Sequence, residues 1–282
     1  MTIQHVDSFL AGKDGARIFE QCWMPPEGIT PRGVLLVVHG LAEHSGRYAH
    51  VGKWFAEHGF VVGALDHRGH GQSVGVDSEI TNMEDVIEDL DRFADSLRER
   101  VPDAPLFLFG HSMGGLIAVY YVITRQPQLQ GVLLSGAAVK ISDEISPLLI
   151  KVSGLLAKIA PKMKTIKLDG SAVSRDPSVV ERYDADPLNY RGGIPACTAA
   201  TMNQAIQHCQ AHFDQFSLPV LVMHGGEDRL ADIEGSRQMY AGAASKDKRF
   251  KEYEGLYHEL VNEPEQEQVM GDMLAWMEER LD

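Results

Sequence analysis

The chain has 282 residues, 44% of them hydrophobic, enough for one large domain or for a core domain carrying an insertion. A formal net charge of -14 leaves no basic field to meet phosphates, which excludes nucleic acid as a partner. The three cysteines, Cys22, Cys197 and Cys209, are too few and too scattered for a disulfide framework and lack C-x-x-C metal spacing, so free thiols in a reducing compartment are expected.

Residues 1–7 have neither the basic region nor the apolar run of a signal peptide, and no stretch is long and apolar enough to span a bilayer. A soluble, cytoplasmic protein is the expectation. Residues 3–10 and 16–24 read as two strands joined at Gly12-Lys13-Asp14-Gly15. Val34 to Val38 is wholly apolar and ends in His39-Gly40, as a central parallel strand does. A helix is expected near 48–58. The next strand, Phe60 to Leu65, runs into a glycine-rich loop, Asp66-His67-Arg68-Gly69-His70-Gly71-Gln72-Ser73. Met83 to Arg100 repeats Val86, Leu90, Phe93 and Leu97 at helical spacing. Leu106 to Phe109 and Val132 to Ser135 read as buried strands, but between about 140 and 212 no convincing buried strand occurs. Strands resume at Val220–Met223 and Arg249–Tyr253, and a final helix covers about 264–280. The alternation predicts an α/β fold with a mostly parallel central sheet flanked by helices. Its core is formed by 1–139 and 213–282, and 140–212 is a helical cap, or lid, inserted over the sheet edge.

Chemistry concentrates where strands end. Gly110-His111-Ser112-Met113-Gly114-Gly115 lies between a strand and a helix, and a serine on such a turn takes a strained backbone that lifts its hydroxyl clear of the sheet. The same turn aims the N–H of Met113 at the oxygen that becomes negative during attack. A nucleophilic serine needs a base, and the base a carboxylate, in the chain order Ser, Asp or Glu, His of α/β-hydrolases. Asp228 follows the strand at 220–223, and His258 is the only histidine beyond it. Glu227 rivals Asp228 as the acid. Asp228 is favoured, since alternation lets only one of them face His258. His39-Gly40-Leu41-Ala42 follows the third strand, where the N–H of Leu41 supplies a second oxyanion donor.

These residues resemble the monoacylglycerol lipase family of the α/β-hydrolase superfamily. The likeness runs through His39-Gly40-x-x-Glu43-His44-Ser45-Gly46-Arg47-Tyr48, Asp66-His67-x-Gly69-His70-Gly71-Gln72-Ser73, the Ser112 motif, Asp184-x-Asp186-Pro187-Leu188, Asp228-Arg229-Leu230 and Tyr253-Glu254-Gly255-x-Tyr257-His258. The resemblance implies Ser112, Asp228 and His258 as the triad, Leu41 and Met113 as oxyanion donors, and a polar head-group pocket of Glu43, Arg47 and His111. It implies hydrolysis of a monoacylglycerol to fatty acid and glycerol through an acyl-enzyme, with a single-chain lipid ester as partner and no cofactor. A lysophospholipase or broad carboxylesterase with the same triad is the alternative, and a non-catalytic ligand-binding protein the remote one. Leu41 stands where mammalian members have Ala, and Ala231-Asp232 where they carry a Cys.

His39, His44, His67 and His70 lack the spacing of hydrolytic metal centres, so a hydrogen-bonded loop rather than a metal site is expected. In the insertion, Ile145, Leu148, Leu149, Val152, Leu155, Leu156 and Ile159 form a helical stripe, with Pro147 tolerable in its first turn. Around it lie Lys140, Lys151, Lys158, Lys162, Lys164 and Lys167, against only Asp143, Glu144 and Asp169. Two readings stand open: a cap that makes transient, peripheral contact with an anionic lipid surface, or a stripe packed on the core.

Overall fold

In the computed structural model, residues 2–141, 154 and 157–281 are described. The chain begins with an antiparallel pair, β1 (Gln4–Ala11) and β2 (Arg17–Met24), followed by β3 (Gly33–Val38), helix α1 (Ala49–Glu57) and β4 (Phe60–Leu65). Helix α2 (Met83–Arg100), β5 (Leu106–His111), α3 (Met113–Arg125) and β6 (Gly131–Ser135) complete the first half. The insertion contributes β7 (Lys164–Lys167), α4 (Pro177–Ala185), β8 (Gly193–Pro195) and α5 (Ala196–Ala211). The core resumes with β9 (Val220–Gly225), α6 (Ile233–Gly242), β10 (Lys248–Tyr253) and α7 (Gln266–Glu278).

Eight strands form one sheet in the order β1-β2-β4-β3-β5-β6-β9-β10, parallel from β4 onward. The strand residues alternate between two cores. Val34, Leu36 and Val38, with Leu106, Leu108, Val132, Leu134, Val220 and Val222, face α2, α3 and α6. Leu35 and Val37, with Phe107, Phe109, Leu133, Leu221 and Met223, face α1 and α7. Both faces are covered, which is why these strands read as unbroken apolar runs. Helix α6 gave no such signal, because the residues it buries are Gly235, Ser236 and Met239. Two of the three are small, so no apolar stripe marks the helix.

In the insertion, β7 and β8 pair as a short antiparallel ribbon whose first strand is largely exposed. It is too short and too wet to register as a buried strand. Helix α5 packs on α3 and adds Ala205, Ile206 and Cys209 to the core. The remaining cap is tied down by hydrogen bonds from the Tyr190 N–H to the Ala42 carbonyl (3.0 Å) and from the Ile80 N–H to Thr198 Oγ1 (2.8 Å). His44 Nε2 also meets Asp186 Oδ2 at 2.9 Å. Most of the expected helical stripe, namely Ile145, Pro147, Leu148, Leu149, Val152, Leu155 and Leu156, lies outside the described residues, as do Lys151, Asp143 and Glu144. The described lysines are less isolated than their sequence neighbours suggested. Lys140 pairs with Asp232, Lys162 with Glu79 and Lys164 with Asp77, all carboxylates of the core.

Where β3 and β4 end, three buried imidazoles pack together, with His39 4.2 Å from His67 and 5.4 Å from His70 between ring centroids. His39 Nδ1 donates to the Gly40 carbonyl (2.8 Å) while Nε2 accepts the His67 N–H (2.9 Å), so this ring is neutral. Burial disfavours the charged rings; neighbouring imidazoles add to the penalty at His39 and His67, whereas at His70 the Arg68 carbonyl and Asp66 only partly offset it. Together these effects hold His67 down to about 3, His70 to about 4 and His39 well below its ordinary value. Once unfolded, each would titrate near about 6.5. Below that pH the unfolded chain binds protons that the native rings refuse, so stability falls with pH at up to about 1.4 kcal/mol per pH unit for each ring. Urea unfolding between pH 7 and 4.5 is expected to show a midpoint dropping steadily through this window, with a shallower slope in His70→Gln. A midpoint indifferent to pH there would contradict neutral burial.

Candidate active site

The parallel strands deliver their C-terminal ends to one side of the sheet, where open α/β sheets gather ligands. At the end of β5, Ser112 has φ 55° and ψ -119°, a left-handed conformation that costs a non-glycine residue about 1–3 kcal/mol. Its backbone is held on both sides: the N–H donates to the Ser135 carbonyl (2.9 Å), and its carbonyl accepts the N–H groups of Leu116 (3.1 Å) and Ala138 (3.0 Å). Gly114 lets α3 pass this close to β3, since a Cβ there would lie 2.0 Å from the Val38 carbonyl oxygen.

The loop after β3 closes the other side. The Gly40 N–H donates to Glu43 Oε1 (2.6 Å), and a Cβ on Gly40 would stand 2.8 Å from that oxygen and 3.1 Å from Ser112 Cβ. Among the described residues neither the Leu41 N–H nor the Met113 N–H has a protein acceptor, so both are left for a ligand atom.

Asp228 lies in the loop after β9 and His258 in the loop after β10. His258 Nδ1 donates to Asp228 Oδ2 at 2.7 Å, and Asp228 Oδ1 accepts the N–H groups of Leu230 (2.8 Å) and Ala231 (3.0 Å). The Asp228 side chain is wholly shielded, whereas Glu227 is exposed. Burial opposes the charge on Asp228, yet His258 and His224 hold its carboxyl well below the usual range. Burial likewise works against an imidazolium at His258. The Asp228 carboxylate outweighs it, so His258 titrates above its ordinary value. His224, buried behind Asp228 with Nε2 3.2 Å from Oδ2 and Nδ1 2.8 Å from Ser236 Oγ, supports the acid from the far side. Its place ahead of Gly225-Gly226-Glu227-Asp228 was visible in the sequence, but its partner was not.

Of the three residues expected in a head-group pocket, Glu43 and His111 line the cavity beside Ser112 and Arg47 does not. Arg47 is corrected to a position behind the wall, where its guanidinium bridges Glu43 Oε2 (2.9 Å) and both oxygens of Glu259 (2.5 and 2.7 Å) under the ring of Tyr183. Glu259 is 212 residues away in sequence, so nothing local announced the pair. Tyr48 donates to Glu43 Oε1 (2.8 Å) and completes the cluster. His111, its ring 4.6 Å from that of His258, is kept neutral by burial and by that neighbour, at about 3.

Ser112, His258, His111, Glu43 and Glu259 sit at one end of a cavity of about 780 Å³. The rest of its wall is mainly apolar, with Leu41, Met163, Ile166, Val173, Ile194, Met202 and Ile206 drawn from the core loop and the cap. That volume is typical of a site for one small ligand (about 300–1,000 Å³).

A family model described as serine aminopeptidase, S33, matches residues 29–265. The chain is 40% identical over 267 residues to a monoacylglycerol lipase of Mycolicibacterium smegmatis, covering 95% of each chain. It is 33% identical over 275 residues to a monoglyceride lipase of Mus musculus, covering 96% of this chain and 90% of that one. A solved monoacylglycerol lipase of Paleococcus ferrophilus superposes with a TM-score of 0.79 at 29% identity, covering 98% of both chains. Sheet order, strained serine, His–Asp pair and full-length likeness agree: the chain belongs to the monoacylglycerol lipase family of the α/β-hydrolase superfamily.

Proposed function

We propose that the protein hydrolyses monoacylglycerols to fatty acid and glycerol, with Ser112 as nucleophile, His258 as general base and Asp228 as its orienting carboxylate. The observation that carries this reading is the hydrogen bond to a buried Asp228 from Nδ1 of His258, which lines the same mainly apolar cavity as Ser112. With Nδ1–H committed to Asp228, Nε2 is the atom that takes the Ser112 proton as Oγ attacks the ester carbonyl. The tetrahedral oxyanion accepts from the N–H groups of Leu41 and Met113. On collapse His258 returns the proton to the departing glycerol oxygen, and water, activated by the same ring, then releases the fatty acid. Asp228 stays ionised throughout.

The acyl chain lies along the apolar wall, and each methylene it buries is worth about 0.8 kcal/mol. At the polar end Glu43 and Glu259 face the alcohol and share the single Arg47 guanidinium behind the wall, while Arg229 lines the same cavity and meets Tyr257. A phosphate placed beside Glu43 and Glu259 would meet two carboxylates that share one guanidinium, so a neutral glyceryl group is favoured there over a lysophospholipid head. On a panel of monoacylglycerols of increasing chain length, lysophosphatidylcholine, a triacylglycerol and an aminoacyl anilide, the monoacylglycerols are expected to give the highest kcat/KM. Ser112→Ala should abolish that activity, and Asp228→Asn should lower kcat by about 10⁴. Because His258 must be neutral to act and titrates above its ordinary value, the acid limb of kcat/KM should lie above about pH 6.5. Faster turnover of the lysophospholipid, or turnover that survives Ser112→Ala, would overturn the assignment.

We also propose that the cap meets lipid surfaces peripherally through its apolar rim. Ile159, Met163 and Ile166 are exposed there, and the last two also line the cavity. Lys140, Lys162 and Lys164 already pair with core carboxylates, and of the insertion's other described lysines only Lys158 and Lys167 add to the exposed cationic surface, so apolar insertion carries most of the contact. No helix among the described residues is long and apolar enough to cross a membrane. Ile166→Ser is expected to weaken co-sedimentation with phosphatidylcholine vesicles about tenfold, the equivalent of one buried aliphatic side chain. Equal binding by parent and variant would contradict the rim.

A further inference from the structure

We propose that Glu259 is a positioning residue for the general base: its carboxylate, anchored by Arg47 and Asn262, fixes the peptide that carries His258 and places a second negative charge beside the imidazolium that forms during catalysis. This rests on the serine-hydrolase reading above.

Glu259 is 4% exposed, yet lines the same cavity as Ser112 and His258. Oε1 accepts from Arg47 Nη1 (2.5 Å), and Oε2 accepts from Arg47 Nη2 (2.7 Å) and Asn262 Nδ2 (2.9 Å). Its own N–H donates to the Val173 carbonyl of the cap at 2.9 Å, and the Leu260 N–H returns to the His258 carbonyl at 3.2 Å. The residue is therefore held at backbone and side chain, immediately after the base. An orientation error of an ångström at a catalytic ring is enough to slow turnover, so such a clamp has a consequence for rate.

The charge balance of the cluster goes beyond what anchoring needs. One guanidinium faces two buried carboxylates, Glu43 and Glu259. Burial and the charge of Glu259 push Glu43 above its ordinary value against the pull of Arg47, the Gly40 N–H and the Tyr48 hydroxyl. With both carboxylates ionised the cluster carries a net charge of about -1 where a single ion pair would be neutral. The groups facing His258 are Asp228 from the loop after β9, Glu43 from the loop after β3, Glu259 and His111. From the cap, Tyr183 covers Arg47. His111 stays neutral and does not cancel the field. Burial opposes the charge on Glu259, but Arg47 outweighs it and holds the carboxyl down to about 2, so the charge of Glu259 itself persists across the working range. As His258 takes the serine proton, that charge stabilises the new imidazolium, as Asp228 does from its own side.

Glu259→Gln keeps the shape and leaves Arg47 matched one-to-one by Glu43. With a monoacylglycerol substrate, the acid limb of kcat/KM is expected to fall by about one pH unit and kcat by about tenfold, with KM little changed. The downfield proton resonance of the His258–Asp228 hydrogen bond, which needs no substrate, should titrate lower by the same amount. Glu259→Asp, which keeps the charge but draws it away from Arg47, should hold the limb near the parent position and still lose kcat several-fold. A limb and resonance identical to the parent in the folded Gln variant would overturn the proposal. If that variant does not fold, parental kcat in Glu259→Asp would do so. A parent without Ser112-dependent hydrolysis would instead overturn the reading on which this rests.

Discussion

Ser112 is held in a backbone conformation it would not choose, and the site is built around keeping it there. The strain of about 1–3 kcal/mol is imposed by the Ser135, Leu116 and Ala138 hydrogen bonds and by α3 passing over the end of β3. That passage exists because Gly114 has no side chain to strike the Val38 carbonyl. The same close packing puts Gly40 against Ser112 and, among the described residues, leaves the Leu41 and Met113 N–H groups without protein acceptors. The strained turn and the two unsatisfied N–H groups are thus two results of one contact between β3, β5 and α3. Its rigidity comes from a sheet buried on both faces.

Electrostatics around His258 follow from burial. The three carboxylates that act on His258 are shielded from water, so each depends on specific partners: Asp228 on His258, His224 and two backbone donors, Glu43 on Gly40, Tyr48 and Arg47, and Glu259 on Arg47 and Asn262. Low dielectric makes these pairings strong and also makes their imbalance felt. Asp228 lifts the basicity of His258, while burial silences His111, His39, His67 and His70.

Much of this was legible in the chain. Buried parallel strands are continuous apolar runs, so β3, β5, β6 and β9 were read closely, and the order of Ser112, Asp228 and His258 along the chain needed no distances. The choice of Asp228 over Glu227 rested on alternation, and the structure shows one shielded and the other exposed. What stayed hidden had no local signal. Helix α6 buries small residues, the cap ribbon is short and exposed, and the lysines of the insertion find partners in the core, far away in sequence. Arg47 is the clearest case. A lone arginine beside a pocket motif suggests a ligand contact, but Glu259, contributed by the loop that carries His258, occupies it.

The central claim is that an ester acyl group passes through covalent attachment to Ser112. Rapid quenching of the enzyme with a long-chain monoacylglycerol, followed by mass spectrometry of its peptides, tests this without reference to net turnover. The account predicts a mass increase equal to the acyl group on the peptide bearing Ser112, formed and lost within the catalytic cycle and missing in Ser112→Ala. Hydrolysis that proceeds with no acyl adduct on that peptide, or with the adduct on another residue, would contradict it.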